Sequence, residues 1–356
     1  MPIDIEQLLN LVFTKNASDL HIHDSSPPVL RIEGELRKVN TDVMTGEDCR
    51  NLIYSLLTER QKEVFENEQE LDLSFSVEGK GRIRMNVYIQ RGSICASLRA
   101  IATEFLSFKE LRLPAAMDEV ARLQSGLILV TGPTGCGKST TLASVINYLN
   151  EHRKSHILTI EDPIEHIHEH KNSIVSQREI GSDSHNFPNA LKYALRQDPD
   201  IIMIGEMRDK ETIASALTIA ETGHLVFATL HTSDAPQSIN RIIDVFPAHQ
   251  QDQVRAQLSL SLQAIFCQKL LRKSKHAGGG RILAVEVLNV TPAIRNIIRD
   301  EKLEQIHSLM QTGGEYGMQT MNMSLATLYR KGYISFEQAL DHSNSVKEMK
   351  RMLGKA

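Results

Sequence analysis

The sequence predicts an α/β protein with two domains, and three observations predict it. From Gly126 onward, short apolar segments such as LILVT and DIIMIG alternate with helical segments, which is the pattern of a parallel sheet covered by helices. Ahead of them, LDLSFSV and RIRMNVYI alternate polar and apolar residues as half-buried antiparallel strands do. The stretch GPTGCGKST, residues 132–140, follows a predicted strand and opens a predicted helix, which is where a phosphate-binding loop belongs.

Residues 1–98 predict a small mixed α+β domain. We expect helices at 4–15 and 46–66, short strands at LHIH and VLRIEG, and a further strand from Ser93 to Ile101. The EGKG stretch between the two alternating strands has the composition of a hairpin turn. Residues 99–114 carry no clear pattern, so we expect a linker there.

Residues 115–290 predict the parallel-sheet core, and residues 291–356 predict a segment of short helices with polar breaks. Near the end of the core, VRAQLSLSLQAIFCQKLL predicts one long helix. Its apolar face is formed by Val254, Leu258, Leu262, Ile265 and Leu270. After GGGR at 278–281, RILAVEVL predicts one more strand.

The composition argues against a nucleic-acid partner and against a secreted protein. Forty Lys and Arg against 44 Asp and Glu give a net charge of -4, which supplies no positive field for nucleic acid. The four cysteines are scattered, so they predict neither a zinc site nor a disulfide framework and fit a reducing cytoplasm. The N-terminus lacks a signal-peptide pattern, and no apolar run approaches the roughly 20 residues that span a bilayer. We therefore expect a cytoplasmic protein that reaches a membrane only through partners.

The phosphate loop is the most specific signal in the chain. Its glycines allow backbone N–H groups to surround a phosphate, and the helix N-terminus that follows favours the same negative charge. Lys138 is expected to reach the β- and γ-phosphates and Ser139 to hold Mg²⁺, so the predicted cofactors are ATP and Mg²⁺. The predicted binding residues are Gly132, Pro133, Thr134, Gly135, Cys136, Gly137, Lys138, Ser139 and Thr140. Cys136 is expected to fill space; an oxidation switch is the alternative, because a helix N-terminus lowers a thiol pKa.

Carboxylates follow two further buried strands. IEDPIE supplies Glu161, Asp162 and Glu165, and IIMIGEMRD ends in Glu206, with Gly205 where an Asp is more usual. The carboxyl ends of parallel strands build sites at one sheet edge, so these groups are expected to orient water or contact Mg²⁺. Glu206 is the expected metal-associated acid. A charged turn and a helix-capping acid are the structural alternatives, and which of Glu161 and Glu206 activates water stays open.

A histidine and three arginines complete the candidate residues. His231 ends the strand HLVFATL, where a neutral imidazole can donate to a γ-phosphate and so sense it. His224, at the other end of that strand, is the weaker candidate, and an ordinary core or surface histidine is the alternative. Arg82, Arg84 and Arg99 form either a solvated sheet face or the group that completes the charge around a neighbouring subunit's γ-phosphate, and the sequence does not rank them.

Eight segments together resemble the secretion-ATPase superfamily and, within it, the type IV pilus retraction ATPases. They are ASDLHIH, GRIRMNVY, GPTGCGKSTT, LTIEDPIE, DPDIIMIGEMRD, TGHLVFATLHT, TPAIRNIIRDEK and QTGGEYGMQT. The resemblance covers nearly the whole chain and implies an N-terminal PAS-like domain, a linker and a RecA-like P-loop ATPase domain in a homohexameric ring. AIRNIIRDEK, residues 293–302, resembles the C-terminal signature associated with retraction. Taken alone it is an amphipathic helix with Ile294, Ile297 and Ile298 on one face.

Carried over residue by residue, the resemblance implies catalytic roles for Lys138, Glu161, Glu206 and His231, with the metal at Ser139 and Glu206. It also implies work at the cytoplasmic face of the inner membrane, on a platform protein of the pilus machine, for pilus retraction, twitching motility and DNA uptake. A sister retraction ATPase is a further implied partner.

Three alternatives remain. Pilus-assembly and type II secretion ATPases usually carry two Cys-x-x-Cys pairs, which this sequence lacks. A nucleic-acid translocase would show a basic channel or stacking aromatic residues, whereas this chain has no Trp. An ATP-binding modulator of a sister motor, which hydrolyses ATP weakly or not at all, is disfavoured by the presence of both glutamates and His231.

Overall fold

The structure, a computed structural model, describes residues 4–32, 34–101 and 105–354. The chain divides into two compact units. The first comprises residues 1–104 with 163–167, and the second comprises residues 105–162 with 168–356. An antiparallel sheet with helices in the first unit and a largely parallel sheet with helices in the second confirm the predicted α/β class.

The first unit is an α+β unit with one six-stranded sheet. Its strands are β1 (Asp19–Ile22), β2 (Val29–Ile32), β3 (Glu35–Lys38), β4 (Glu70–Val77), β5 (Gly81–Gln90) and β6 (Ser93–Ile101). Its helices are α1 (Ile5–Thr14), α2 (Gly46–Tyr54) and α3 (Glu59–Glu68). The strands are antiparallel in the order β3-β2-β1-β6-β5-β4. One sheet face is apolar and packs on the helices, as the period-2 alternation of β5 requires.

One prediction for this unit was wrong, and one strand was missed. The helix expected at 46–66 is two helices, because Thr58 begins α3 with a capping box. The Thr58 hydroxyl accepts a hydrogen bond from the Gln61 N–H at 3.4 Å, and Gln61 Oε1 accepts one from the Thr58 N–H at 2.9 Å. A capping box marks a helix start, so it separates the two helices. Strand β3 was not predicted, because all four of its residues are exposed and carry no alternation.

The second unit is built on a seven-stranded sheet. Its strands are β7 (Gly126–Thr131), β8 (His156–Glu161), β9 (Ile174–Glu179), β10 (Ile201–Ile204), β11 (Leu225–Leu230), β12 (Leu262–Arg272) and β13 (Arg281–Asn289). The order is β13-β12-β7-β11-β10-β8-β9, and all neighbours are parallel except β12 and β13. Each parallel strand therefore ends at the same sheet edge.

Helices cover both faces of this sheet, which is why its strands are apolar runs. The helices of the second unit are α4 (Phe108–Leu111), α5 (Ala116–Val120), α6 (Lys138–His152), α7 (Phe187–Ala194), α8 (Lys210–Glu221), α9 (Ala235–Asp244), α10 (Ala248–Ser261), α11 (Pro292–Arg299), α12 (Ile306–Thr312), α13 (Met321–Arg330), α14 (Phe336–Asp341) and α15 (Val346–Met352). In β7, Leu127 and Leu129 pack into one core, and Ile128 and Val130 pack into the core on the other face. None of the helices in the described ranges is both long and apolar enough to cross a membrane.

The helix predicted across VRAQLSLSLQAIFCQKLL was wrong beyond Ser261. The chain turns there into β12, so Leu262, Ile265 and Leu270 lie on a strand, whereas Val254 and Leu258 are on α10. Strand β12 pairs with β7 on one side and β13 on the other, and is buried from Ala264 to Gln268. A short apolar run has no periodicity that separates a buried strand from a buried helix, so only the sheet context decides.

The segment expected as a linker contains regular structure at both ends. Strand β6 continues to Ile101. Helix α4 covers Phe108–Leu111, and the side chain of Ser107 caps it by accepting from the Glu110 N–H at 3.3 Å.

Candidate nucleotide-binding site

The loop between β7 and α6 has the backbone that a phosphate loop requires. Gly132, Gly135 and Gly137 have φ values of 141°, 78° and 93°, which side chains rarely adopt. At Gly132, an added Cβ would also lie 2.4 Å from the carbonyl oxygen of Gln268 on β12. Glycine is therefore required at Gly132 by both conformation and space.

The open side of this loop fits a polyphosphate. An added Cβ at Gly135 or Gly137 would meet no heavy atom within 4 Å, so space lies in front of both. The 15-residue helix α6 begins here without a side-chain cap, and its first-turn N–H groups carry the positive end of the helix dipole. Lys138 Nζ donates to the Gly132 carbonyl at 2.8 Å, and Ser139 in the first turn is exposed. A cation, N–H donors and a hydroxyl suit Mg-nucleotide phosphates.

Cys136 faces the inner side of the loop. It is 3% exposed, and a Cβ added to Gly132 would lie 2.6 Å from its sulfur. Burial raises the pKa of its thiol despite the nearby charge of Lys138. These features favour the space-filling role over the oxidation switch.

Gln268, which lies behind the loop and supports it, was missed by the sequence analysis. Gln268 on β12 is 1% exposed, and its Nε2 donates to Thr141 Oγ1 on α6 at 2.9 Å. Its own carbonyl packs against Gly132. The only signal was a polar residue within the apolar run AIFCQKLL, which the sequence analysis had assigned to a helix.

Glu206 and His231 are brought together at the sheet edge. His231 follows β11, Glu206 follows β10, and these strands are neighbours. His231 Nε2 lies 3.2 Å from Glu206 Oε1, and Arg208 Nη2 donates to Glu206 Oε2 at 2.7 Å. Burial opposes ionisation of Glu206, but its bonds with Arg208 and His231 outweigh burial, so its pKa is lowered. The carboxylate is therefore held ionised between two nitrogen groups.

Glu161 is held from another direction. It is 8% exposed, and its Oε1 accepts from Thr159 Oγ1 at 2.7 Å and from Gln177 Nε2 at 3.1 Å. Asp162, the next residue, is exposed. Glu165 belongs to the first unit, whereas Glu161 and Asp162 belong to the second.

The packing of Gly205 explains why it has no side chain. Its N–H donates to the Ile160 carbonyl at 2.8 Å. An added Cβ would lie 3.2 Å from that oxygen and 3.3 Å from the Glu161 Cα. An aspartate at this position would push against the end of β8. Glu206, one residue later, is the carboxylate that this packing permits.

His224 and the three candidate arginines do not belong to the phosphate-loop edge of this sheet. His224 precedes β11, with Nδ1 3.2 Å from both Thr222 Oγ1 and the Ile219 carbonyl, and thus lies at the opposite sheet edge from His231. The three arginines belong to the first unit, whereas the loop, Glu161, Glu206 and His231 belong to the second.

The arginines also differ in their partners. Arg99 Nε donates to Asp19 at 2.8 Å, and Arg82 Nη2 donates to Ser74 Oγ at 2.5 Å. The side chain of Arg84 is exposed and makes no hydrogen bond or ion pair with any residue in the described ranges.

A family profile, curated proteins and solved structures all match this chain along most of its length. A profile of the type II/IV secretion system protein family matches residues 1–341. The type IV pilus retraction ATPase PilT of Pseudomonas aeruginosa is 48% identical over 337 residues, covering 95% of this chain and 97% of that protein. A twitching motility protein of Neisseria gonorrhoeae is 46% identical over 322 residues, covering 90% and 86%. A crystal structure of the pilus retraction motor PilT with bound ADP matches with a TM-score of 0.92 at 48% identity, covering 98% of this chain and 99% of that one.

Replacement of Arg208 by alanine should raise the pKa of Glu206, because it removes the hydrogen bond and charge that offset burial. A carboxylate whose folded-state pKa is lowered stabilises the fold above its unfolded-state pKa, and this stabilisation is lost as the pH falls through the folded-state value. We expect Arg208→Ala to lower the free energy of unfolding at pH 7. The difference from wild type should shrink below about pH 4.

Chemical denaturation of both proteins between pH 7 and pH 3.5 would measure this difference. Glu206→Gln is the matched background, because it cannot ionise. If Arg208→Ala had the same pH-dependent effect in that background, the Glu206–Arg208 pair would not be its cause.

Proposed function

The chain belongs to the type II/IV secretion system protein family, and we propose that within this family it is the motor that retracts type IV pili. It is an ATPase. The observation that carries the proposal is the meeting of the phosphate loop, Glu161, Glu206 and His231 at one edge of a parallel sheet. Relatives that match along nearly their whole length are named for pilus retraction and twitching motility, which supports the same work here.

The phosphate loop binds and orients the nucleotide. The similar motor PilT was crystallised with ADP, and the residues of this loop fit ATP with Mg²⁺. Lys138 balances the charge of the β- and γ-phosphates, and Ser139 and Glu206 would hold Mg²⁺. When bound, Mg²⁺ neutralises charge that develops on the transferred phosphoryl group.

Glu161 and Glu206 divide the work of orienting water and holding the metal. Two hydrogen bonds to one oxygen of Glu161 restrict its rotamers, which suits a group that must position a water molecule. Glu206 stays ionised through Arg208, as a metal-associated carboxylate should. His231, 3.2 Å from Glu206, is placed to donate to a γ-phosphate and to lose that partner on hydrolysis.

We assign the arginines of the first unit to the nucleotide of a neighbouring subunit. An arginine in trans stabilises the charge of the transferred phosphoryl group, and exposed Arg84 can reach a partner more readily than Arg82 and Arg99, which are already bonded. This role requires a ring, and a homohexamer is the form that we propose. The ring would act on a platform protein in the inner membrane from the cytoplasmic face, with a sister retraction ATPase as a further partner and DNA uptake as a dependent process.

The rival functions are less well supported. An assembly or type II secretion ATPase would be expected to carry paired Cys-x-x-Cys motifs, and the four cysteines of this chain are separate and buried. A non-hydrolysing modulator has no need for a glutamate held ionised beside a histidine. Gene disruption separates retraction from secretion, since loss of a retraction motor leaves pili assembled on cells that no longer twitch.

We expect the purified chain to hydrolyse Mg-ATP with a specific activity that rises as six-subunit particles form. Glu206→Gln should reduce kcat by on the order of 100-fold or more, because it removes a carboxylate from the reaction site. Steady-state hydrolysis across a protein concentration series, with particle mass measured alongside, would test both statements.

Glu68→Gln is the matched control, since Glu68 is an exposed residue at the end of α3 in the first unit. A wild-type chain that stays monomeric and hydrolyses no ATP would contradict the proposal. Equal activity in wild type and Glu206→Gln would contradict the role of Glu206.

Gly205→Ala should reduce kcat by about tenfold while leaving ADP affinity unchanged, because the added methyl group presses on Glu161 but not on the phosphate loop. Gly314→Ala is the control, since its Cβ would meet no heavy atom within 4 Å. Hydrolysis rates and ADP titrations of the two variants provide the measurement. Full activity in Gly205→Ala would show that the position of Glu161 does not limit the reaction.

A further inference from the structure

A buried glutamate outside the nucleotide site joins two helices. Glu286 on β13 is 2% exposed. Its Oε1 accepts from the backbone N–H of Ala235 at 2.9 Å, and its Oε2 accepts from the backbone N–H of Met321 at 3.2 Å. Ala235 is the first residue of α9, and Met321 is the first residue of α13. One carboxylate therefore holds the N-termini of two helices.

Both helices need this acceptor. The side chain of each N-cap residue already accepts a hydrogen bond from the third residue of its helix. The Asp234 side chain accepts from the Gln237 N–H, and the Thr320 side chain accepts from the Met323 N–H. The first N–H of each helix thus needs a different partner. Two N-terminal dipole ends in turn stabilise a charge that is costly to bury. Burial raises the pKa of Glu286, and the two N–H groups oppose that rise.

Helix α9 begins a short distance after His231 in the chain. Only residues 232–234 separate the histidine from Ala235. Thr232 Oγ1 lies 2.6 Å from Ser238 Oγ, which also donates to the Asp234 carbonyl at 2.8 Å. These bonds join the short loop to the first turn of α9, so His231 is linked to the helix N-terminus by a short, hydrogen-bonded segment.

Glu286 also lies at the level of the nucleotide site in the sheet. In the strand register it pairs with Cys267 on β12, Cys267 pairs with Thr131 on β7, and Thr131 pairs with Leu230 on β11. Thr131 directly precedes the phosphate loop, and Leu230 directly precedes His231. The carboxylate therefore occupies the same row as the residues that end the two strands of the site.

A cavity of about 590 Å³ lies beside this carboxylate. Its lining includes Glu286, Gln237 and Asn240 of α9, and His307 and Met310 of α12. The cavity leaves room between α9 and the C-terminal helices at this point. A shift of α9 is therefore sterically possible here.

We propose that Glu286 is a positioning residue that couples the His231 loop to α13, so that the helix responds to the presence of a γ-phosphate. The proposal rests on the proposed ATPase function, since it assigns a route from that site. A ligand shifts an equilibrium only through different contacts in the two states. Here the differential contact is that of His231 with a γ-phosphate, and the bond from α9 through Glu286 to Met321 carries its effect.

Hydrogen exchange of the full chain tests this route. We compare amide exchange in Met321–Arg330 with ADP bound and with a non-hydrolysable ATP analogue bound. In wild type the two nucleotides should give different exchange in the first turn of α13. Glu286→Gln keeps the side-chain shape but leaves only one acceptor oxygen, so the difference should be lost at α13 and retained at the phosphate loop.

Ser324→Ala is the matched control, because the Ser324 hydroxyl accepts from the Val285 N–H at 3.0 Å and so joins α13 to β13 without involving α9. It should speed exchange in α13 with both nucleotides and keep the difference between them. If Glu286→Gln does not fold, Glu286→Asp replaces it, since its shorter side chain keeps the charge but cannot reach both N–H groups.

Two outcomes would overturn the proposal: no nucleotide-dependent exchange at α13 in wild type, or an undiminished difference in the Glu286 variant. The ATPase function fails separately, through the absence of hydrolysis by wild type. A wild-type enzyme that hydrolyses ATP with an unresponsive α13 would refute the coupling alone.

Discussion

The parallel register of β8, β10, β11 and β7 is the constraint on which the rest of the structure depends. Ile160, Ile204 and Ala228 stand side by side in neighbouring strands, so the polar residues that follow each strand emerge at one edge. Two cores on opposite faces hold that register through strands that are buried on both sides. A slip of one residue would exchange the faces of the strand, so the energy that stabilises the cores also aligns the site.

Close packing at this sheet edge decides which positions can carry a carboxylate side chain. The approach of Gly205 to Ile160 leaves little space for a side chain, and the acid at this edge is Glu206, one residue later. There it is partly buried, and burial alone would raise its pKa, so the carboxylate needs a partner that favours its charge. Arg208 and His231 supply that partner from either side. The site therefore combines a buried, hydrogen-bonded Glu161 with a Glu206 whose pKa is lowered by two neighbouring nitrogen groups.

Much of this organisation could be predicted from the sequence, because local patterns specify it. The loop between β7 and α6, most of the apolar strands and the polar residues after them lie where the sequence predicted them. The failures have different causes. The split between α2 and α3 follows from a local capping box at Thr58, whereas tertiary partners decided the outcome at β12, Gln268 and Glu286. Strand β12 was taken for a helix because its burial comes from β7 and β13. Gln268 and Glu286 were missed, because each acts through backbone or side-chain groups distant in sequence, and no local motif records such a contact.

A structure of the chain with Mg-ADP and beryllium fluoride would test the central claim most directly, because this complex imitates ATP at the γ-phosphate position. The account predicts the diphosphate in the loop formed by Gly132–Thr140. It also predicts the fluoride group within hydrogen-bond reach of Lys138 and His231, with Glu161 and Glu206 contacting it directly or through one water or the metal. A nucleotide bound elsewhere, or a fluoride group with none of these side chains within reach, would contradict the account.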